Sequence, residues 1–400
     1  MGAEISIIDS NGNVVDSWTS SEKVHRITGL VVGQTYTLRE DYAPNGYVVS
    51  NDVTFTVSNT AEFQKVTMVD KQVGLNKVDV DNNPVEGAVL VVTNTKTKQI
   101  VDKWTTTSET HFVSGLIEGQ TYVVSEIETP DTYVTASPVE FTVSTDKETQ
   151  YVSVVDKQVV ISKVDVTTGE ELAGAELEIQ DKDGNVIDSW TSTNEVHYVS
   201  GLSEGKTYVL VETTAPYGFE ISESIEFVVS TDKNIQKVVM EDDYIYSSIR
   251  VVKCDITTKK PIVSNAFEFS IYADKDCTQL IATSGANKDE GTALFEKLKY
   301  GTYYLKETKA PTGYSLSDKI VEIIINENGV TADGVSLEET NGIYSFEYYD
   351  ELLPVVDTGD VNANNTQKLI LMGSLFIILA FAFVIVCRKI KKSKKSNKTN

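Results

Sequence analysis

Lys206-Thr-Tyr-Val-Leu-Val-Glu-Thr-Thr-Ala-Pro-Tyr-Gly-Phe219 sets Tyr208, Leu210 and Glu212 on one side of an extended chain, then breaks at Ala-Pro-Tyr-Gly. Successive strand residues point to opposite faces, so this period of two reads as a β-strand, and the Pro and Gly that follow are turn chemistry. Further out, Ser224-Ile-Glu-Phe-Val-Val229 alternates in the same way and Asp183-Gly184-Asn185 marks another turn. Short strands separated by such turns over one compact repeat predict a β-sandwich. The repeat itself is explicit. Trp18, Trp104 and Trp190 are spaced by 86 residues, as are His25, His111 and His197, and Gly29, Gly115 and Gly201. The chain therefore reads as all-β, a tandem of Ig-like sandwich domains over 1–72, 73–158, 159–246 and 247–353. The last is longer and lacks the Trp and His. The links Asp70-Lys-Gln-Val and Asp156-Lys-Gln-Val contain neither Gly nor Pro, which predicts close-coupled domains.

Composition, with 40% hydrophobic and 24% charged residues among 400, is that of folded protein. All 59 acidic residues lie at or before Asp360, while eight of the 35 basic ones lie at or after Lys368, so residues 1–367 carry a formal charge of −32. Such a chain repels nucleic acid and anionic membrane and favours a soluble, extended monomer. The apolar run Leu369–Cys387, 19 residues without a charge, predicts one C-terminal transmembrane helix, and the basic tail 388–400 predicts a cytoplasmic C-terminus with everything before it outside. The segment 354–400 thus divides into a spacer, a span and a tail. Met1-Gly2-Ala3-Glu4-Ile5 has neither the basic nor the apolar region of a signal peptide, so the expectation is that the sequence starts inside a longer protein.

The three cysteines are too few for a disulfide framework; Cys254 and Cys277 fall in one domain, as spare thiols or as a pair. The three histidines, one per repeat, would stand about a domain apart, which argues for structural histidines at a sheet edge and against a shared metal site or a Ser-His-Asp triad. No metal, no cofactor and no phosphate-binding glycine loop is implied.

Three polar residue types recur on the apolar side. Glu40, Glu126 and Glu212 are spaced by 86, as are Asp70, Asp156 and Asp242, and Lys77 and Lys163 differ by the same interval. The fourth unit offers Lys253, Glu307 and Asp350. By strand parity Glu212 shares a face with Tyr208 and Leu210, Glu126 with Tyr122 and Val124, Glu307 with Tyr303 and Leu305, and Glu40 with Tyr36 and Leu38. Asp242 goes with Met240, Asp156 with Val154, Asp350 with Tyr348 and Asp70 with Met68; Lys163 goes with Ile161, Lys77 with Leu75 and Lys253 with Val251. Charged groups placed this way pair, shift their pKa values or react. A neutral lysine amine beside a carboxyl can form an amide with loss of water, and a protonated glutamate can assist it. Solvated strand-end charges and a plain buried salt bridge are the competing readings.

Tyr208-Val-Leu-Val-Glu-Thr-Thr-Ala-Pro-Tyr-Gly-Phe219 and Tyr304-Leu-Lys-Glu-Thr-Lys-Ala-Pro-Thr-Gly-Tyr314, with Ile161-Ser-Lys-Val-Asp165 and Val238-Val-Met-Glu-Asp-Asp-Tyr244, resemble the Cna B-type (SpaA-like, prealbumin-like) domains of Gram-positive surface proteins and pilins. The resemblance covers nearly all of 1–353. It implies a first-strand lysine bonded to a last-strand Asn or Asp, with catalysis by an "E-box" glutamate: Lys77–Asp156 with Glu126, Lys163–Asp242 with Glu212, and Lys253–Asp350 with Glu307. The second unit departs from the pattern, with Glu126-Ile-Glu-Thr-Pro-Asp-Thr-Tyr133 in place of Ala-Pro-x-Gly, and in the fourth the register of Asp350 is the least fixed. In the first unit Gly2-Ala3-Glu4 corresponds to Gly174-Ala175-Glu176. Its lysine strand would precede Met1, Glu40 and Asp70 are expected unbonded, and residues 1–72 are expected to be the least stable part.

Leu353-Pro-Val-Val-Asp-Thr-Gly359, followed by a spacer, an apolar run and a basic tail, resembles a sortase sorting signal of the LPxTG type. The resemblance implies cleavage between Thr358 and Gly359 and transfer of Thr358 to a peptidoglycan precursor or a pilin amine, although Val356 stands two residues before Thr358, where that signal has its proline. The implied role is a cell-wall-anchored extracellular stalk, stiffened by self-formed Lys-Asp amides and displaying an N-terminal region. A ligand-binding adhesin module for a host surface protein and an accessory pilin are the alternatives. A single-turnover self-modification does not make the chain an enzyme.

Overall fold

The computed structural model describes residues 1–264, 266–287 and 289–354. The expected transmembrane run 369–387, the tail 388–400 and the sorting residues Thr358 and Gly359 lie outside the described residues. Among the described residues no helix is long and apolar enough to cross a membrane. These residues form strands and turns only, in two compact units, Met1–Tyr246 and the part from Ser247 onward.

Residues 73–158 show the plan. One sheet runs Val139–Thr142, Thr121–Glu128, Val89–Asn94, Ile100–Thr105; the other runs Thr149–Val155, Gln72–Val78, His111–Phe112. Leu90, Val92, Tyr122 and Val124 of the first sheet meet Val73, Leu75 and Val154 of the second, so the inward residues of both sheets make one core. The third repeat is built alike, with sheets Val186–Thr191, Glu176–Gln180, Thr207–Thr214, Ile225–Val228 and His197–Tyr198, Val159–Asp165, Gln236–Asp242. The fourth adds a hairpin, Gly329–Ala332 with Val335–Ser336, that widens one sheet to six strands.

In all three, the first strand lies beside the last and parallel to it: Gln72–Val78 with Thr149–Val155, Val159–Asp165 with Gln236–Asp242, and Ser247–Asp255 with Ile343–Asp350. The domain's two ends thus meet side by side in one sheet. The first repeat has a single sheet, Val14–Thr19, Glu4–Ile8, Thr35–Tyr42, Val53–Thr56, and no counterpart of Gln72–Val78 among the described residues. Residues 25–26 and 63–69, which correspond to the strands that pair with it, form no strand. Its fully buried apolar cluster is correspondingly small: Ile7, Tyr36 and Leu38.

Candidate functional site

The parallel pairing decides which polar residues meet. Lys77 lies opposite Val154, Lys163 opposite Met240 and Lys253 opposite Tyr348. In each case the aspartate is two residues further on, on the same face, within reach of a lysine side chain. Lys77 Nζ contacts Asp156 Oδ1, Lys163 Nζ contacts Asp242 Oδ1, and Lys253 Nζ contacts Asp350 Oδ1. The glutamate comes from the opposing sheet. Lys77 Nζ is 3.0 Å from Glu126 Oε2, Lys163 Nζ 2.9 Å from Glu212 Oε1 and Lys253 Nζ 2.6 Å from Glu307 Oε1. The side chains of Lys77, Glu126 and Asp156 are 0% exposed, and the other two triads are buried as completely. Each set named from the sequence is therefore one cluster, Asp350 included.

A backbone clamp, which parity could not show, orients each glutamate. Oε2 accepts the N–H of the residue ten positions on: Ala136 for Glu126 at 2.9 Å, Ser222 for Glu212 at 2.6 Å and Ser317 for Glu307 at 3.0 Å. In the first repeat Glu40 takes the Ser50 N–H in the same way at 2.7 Å. The loop between is a tight turn begun by proline, closed by Phe219 N–H to the Pro216 carbonyl at 3.0 Å and its equivalents. The residue before that donor needs positive φ. Gly218 has φ 88° and Gly313 has φ 92°, as that turn favours, but the second repeat holds Thr132 at φ 71°. The departure from Ala-Pro-x-Gly thus keeps the shape of the turn at the expense of a strained β-branched residue.

Ser222 Oγ also donates to Asp242 Oδ1 at 2.6 Å, and Lys253 Nζ sits 4.4 Å from the Tyr348 ring centroid and 4.9 Å from that of Phe269. The second carboxyl oxygen, Oδ2, of Asp156, Asp242 and Asp350 has no hydrogen-bond partner. Burial raises the Asp156 carboxyl to about 7, against the pull of the Lys77 charge and with help from Glu126. Burial likewise raises Glu212, Glu307 and Asp350 above the ordinary carboxyl range. The cause is common to all three sites: one amine and two carboxyls in a dry core would carry a net negative charge, which favours the state in which one carboxyl holds a proton. That proton count equals a neutral amine with two carboxylic acids, the composition needed to condense lysine with aspartate and release water.

Glu40 and Asp70 are close enough for the Asp70 charge to add to the burial that raises Glu40, and neither forms an ion pair among the described residues. The histidines do something else. His111 Nε2 is 2.9 Å from Asp102 Oδ2 and stacks on Trp104 with centroids 4.1 Å apart; His25 with Asp16 and Trp18, and His197 with Asp188 and Trp190, repeat this. Among the described residues no group of three or more His, Cys, Asp or Glu is placed to hold a metal. Cys254 is buried and Cys277 half-buried, and both are free thiols.

The SpaA prealbumin-like fold domain matches residues 1–72, 71–158, 157–244 and 247–339. The chain belongs to this family. Its fourth SpaA-type match stops before Ile343–Asp350, the strand whose last residue, Asp350, completes the fourth triad. Among solved structures the chain is similar to the Bacillus anthracis TIE protein, with 20% identity and TM-score 0.37 over 87% of this chain and 66% of that one. It is also similar to a C-terminal fragment of the pilus adhesin SpaC from Lactobacillus rhamnosus GG, with 14% identity and TM-score 0.34 over 50% of this chain and 98% of the fragment. A third is BcpA, the major pilin subunit of Bacillus cereus, with 15% identity and TM-score 0.26 over 71% and 99%. No curated protein sequence matches the chain.

Proposed function

We propose that the chain is a surface stalk whose second, third and fourth SpaA-type units lock themselves with an amide between Lys77 and Asp156, Lys163 and Asp242, and Lys253 and Asp350. The observation that carries this reading is the threefold contact of lysine amine, aspartate carboxyl and glutamate in a dry core. The lysine nitrogen attacks the aspartate carbonyl carbon, the C–N bond forms, and the carboxyl hydroxyl leaves as water with a proton relayed by Glu126, Glu212 or Glu307. The charged groups disappear in the product, which removes the cost of burying them.

The placement suits a tether. Tension entering at Gln72 would cross from Lys77 to Asp156 and leave toward the next unit, with the chain from 78 to 155 off the load path. The same reading takes Thr358 as the residue that a sortase joins to a peptidoglycan precursor or pilin amine on a Gram-positive cell surface, after insertion through 369–387.

The test is the intact mass of the whole chain beside a variant carrying Glu126→Ala, Glu212→Ala and Glu307→Ala. Three amides lower the mass by about 18 Da each, and the variant lacks the deficit. Branched Lys-Asp peptides in a digest locate each bond even where the variant folds poorly. A wild-type chain of unmodified mass would leave three buried ion pairs and no self-crosslinked stalk.

A further inference from the structure

Two joints within Met1–Tyr246 repeat the same backbone bonds. At the first, Val49 N–H donates to the Leu116 carbonyl at 2.9 Å and Glu118 N–H to the Val49 carbonyl at 3.0 Å; at the second, Thr135 N–H donates to Leu202 at 2.9 Å and Glu204 N–H to Thr135 at 3.1 Å. A valine beside each bridge enters the core of the unit that follows. Val48 and Val134 are both 0% exposed and pack with the buried residues of the second and third repeats. The Glu118 and Glu204 carboxylates reach back across the joint, accepting the N–H of Asn51 and of Ser137, each at 3.0 Å.

The linker lysines go forward. Lys71 Nζ contacts Glu118 and donates to the Thr145 carbonyl at 2.5 Å. Lys157 Nζ donates to the Ser230 carbonyl, to Ser230 Oγ at 3.0 Å and to the Asp232 carbonyl at 3.2 Å, with Glu204 at 3.8 Å. A lysine covered this fully is held by its acceptors, because freeing it means breaking several charge-assisted hydrogen bonds at once.

The same three places differ together in sequence at the next boundary, where Glu220 replaces the valine, Asp243 the lysine and Tyr300 the glutamate. Parts that occur together twice and change together once behave as components of one device.

We propose that Val48, Lys71 and Glu118, and again Val134, Lys157 and Glu204, are two copies of a latch that keys each unit onto the one before it, so that residues 1–246 move as a single body. The latch is independent of the Lys-Asp amides, which lie inside individual units, and it holds whether or not those form. It gives tension a continuous path from one locked unit to the next.

Hydrogen exchange on the full chain, read residue by residue, tests it. In the wild type the joint amides of Val49, Asn51, Thr135 and Ser137 should be protected. Glu204→Ala should speed exchange at Thr135 and Ser137 by about tenfold or more, while Val49 and Asn51 at the untouched joint and the strand Thr207–Thr214 stay as they were. Lys157→Met, which leaves the Ser137 acceptor in place, should speed the same two amides if Glu204→Ala folds poorly. Joint amides that exchange at exposed-loop rates in the wild type would overturn the proposal. So would faster exchange spread evenly through Thr207–Thr214, because it would make Glu204 a residue of domain stability and not of the joint.

Discussion

Replacing Glu212 by Ala should unlock the third unit and no other. The carboxyl lies 2.9 Å from Lys163 Nζ and takes the Ser222 N–H at 2.6 Å, so its loss removes the proposed proton relay and leaves one partly buried donor unsatisfied. The second effect alone costs about 1–3 kcal/mol. The first is larger. The proposed amide would close a loop between residues 79 positions apart, which the chain-entropy relation for crosslinks values at about 4.5 kcal/mol. Unfolding entropy for a unit of roughly 86 residues is about 180 cal/mol/K, so the missing bond lowers that unit's Tm by about 25 °C. Calorimetry of the full chain should show one transition moving and the others in place, with the intact mass higher by about 18 Da relative to that expected for full locking. The control is the same substitution on a Lys163→Ala background, which cannot form the bond; there Glu212→Ala should cost only about 5–15 °C, the part due to the Ser222 N–H. Equal Tm losses on both backgrounds would refute the reasoning, since the glutamate would then act by packing alone.

Asp350→Asn should still lock the fourth unit, because an amide can replace a carboxyl if ammonia leaves; the mass deficit for that bond becomes about 17 Da instead of about 18 Da, and an unlinked fourth unit would argue against nucleophilic attack by Lys253. Locking of the second unit should slow as pH rises through about 7, since burial raises Asp156 to that value and the reacting carboxyl must keep its proton. By the same sign, before the bond forms the protonated aspartate's contribution to stability is full below 3.8 and is lost as pH climbs toward about 7. Cell-free synthesis at about pH 6 and about pH 9, followed by mass, should show a rate falling about tenfold per unit above 7, and a flat profile would count against it. Thr132→Gly should raise the stability of the second unit by about 1 kcal/mol, because Thr132 holds φ 71°; a loss on denaturant unfolding would show that its Oγ1, which accepts from Gln158 Nε2 at 3.2 Å, outweighs the strain.

The sequence by itself determined the repeat, the all-β class and which lysine, glutamate and aspartate of each complete unit face its core. An interval of 86 residues is visible without coordinates, and the face of a strand follows from counting by twos. That is why Glu126, Glu212 and Glu307 could be assigned to the core side from Tyr122, Tyr208 and Tyr303 alone. Parity says which face a residue occupies but not which strand lies next to it. Only the tertiary structure decided that the first and last strands run side by side and parallel, so that an aspartate two residues past the lysine's partner meets its amine. Only it could show the N–H ten residues beyond each glutamate, because that clamp depends on the path of a turn.

The joints lie between these cases. Lys71 and Lys157, and Glu118 and Glu204, are also 86 apart and so were present in the repeat, but nothing local separates a linker lysine bound for the next unit from one bound for solvent. Periodicity is a property of the chain taken a few residues at a time. Contact between residues 47 or 79 positions apart is set by how whole sheets pack, and that information exists only in the folded molecule.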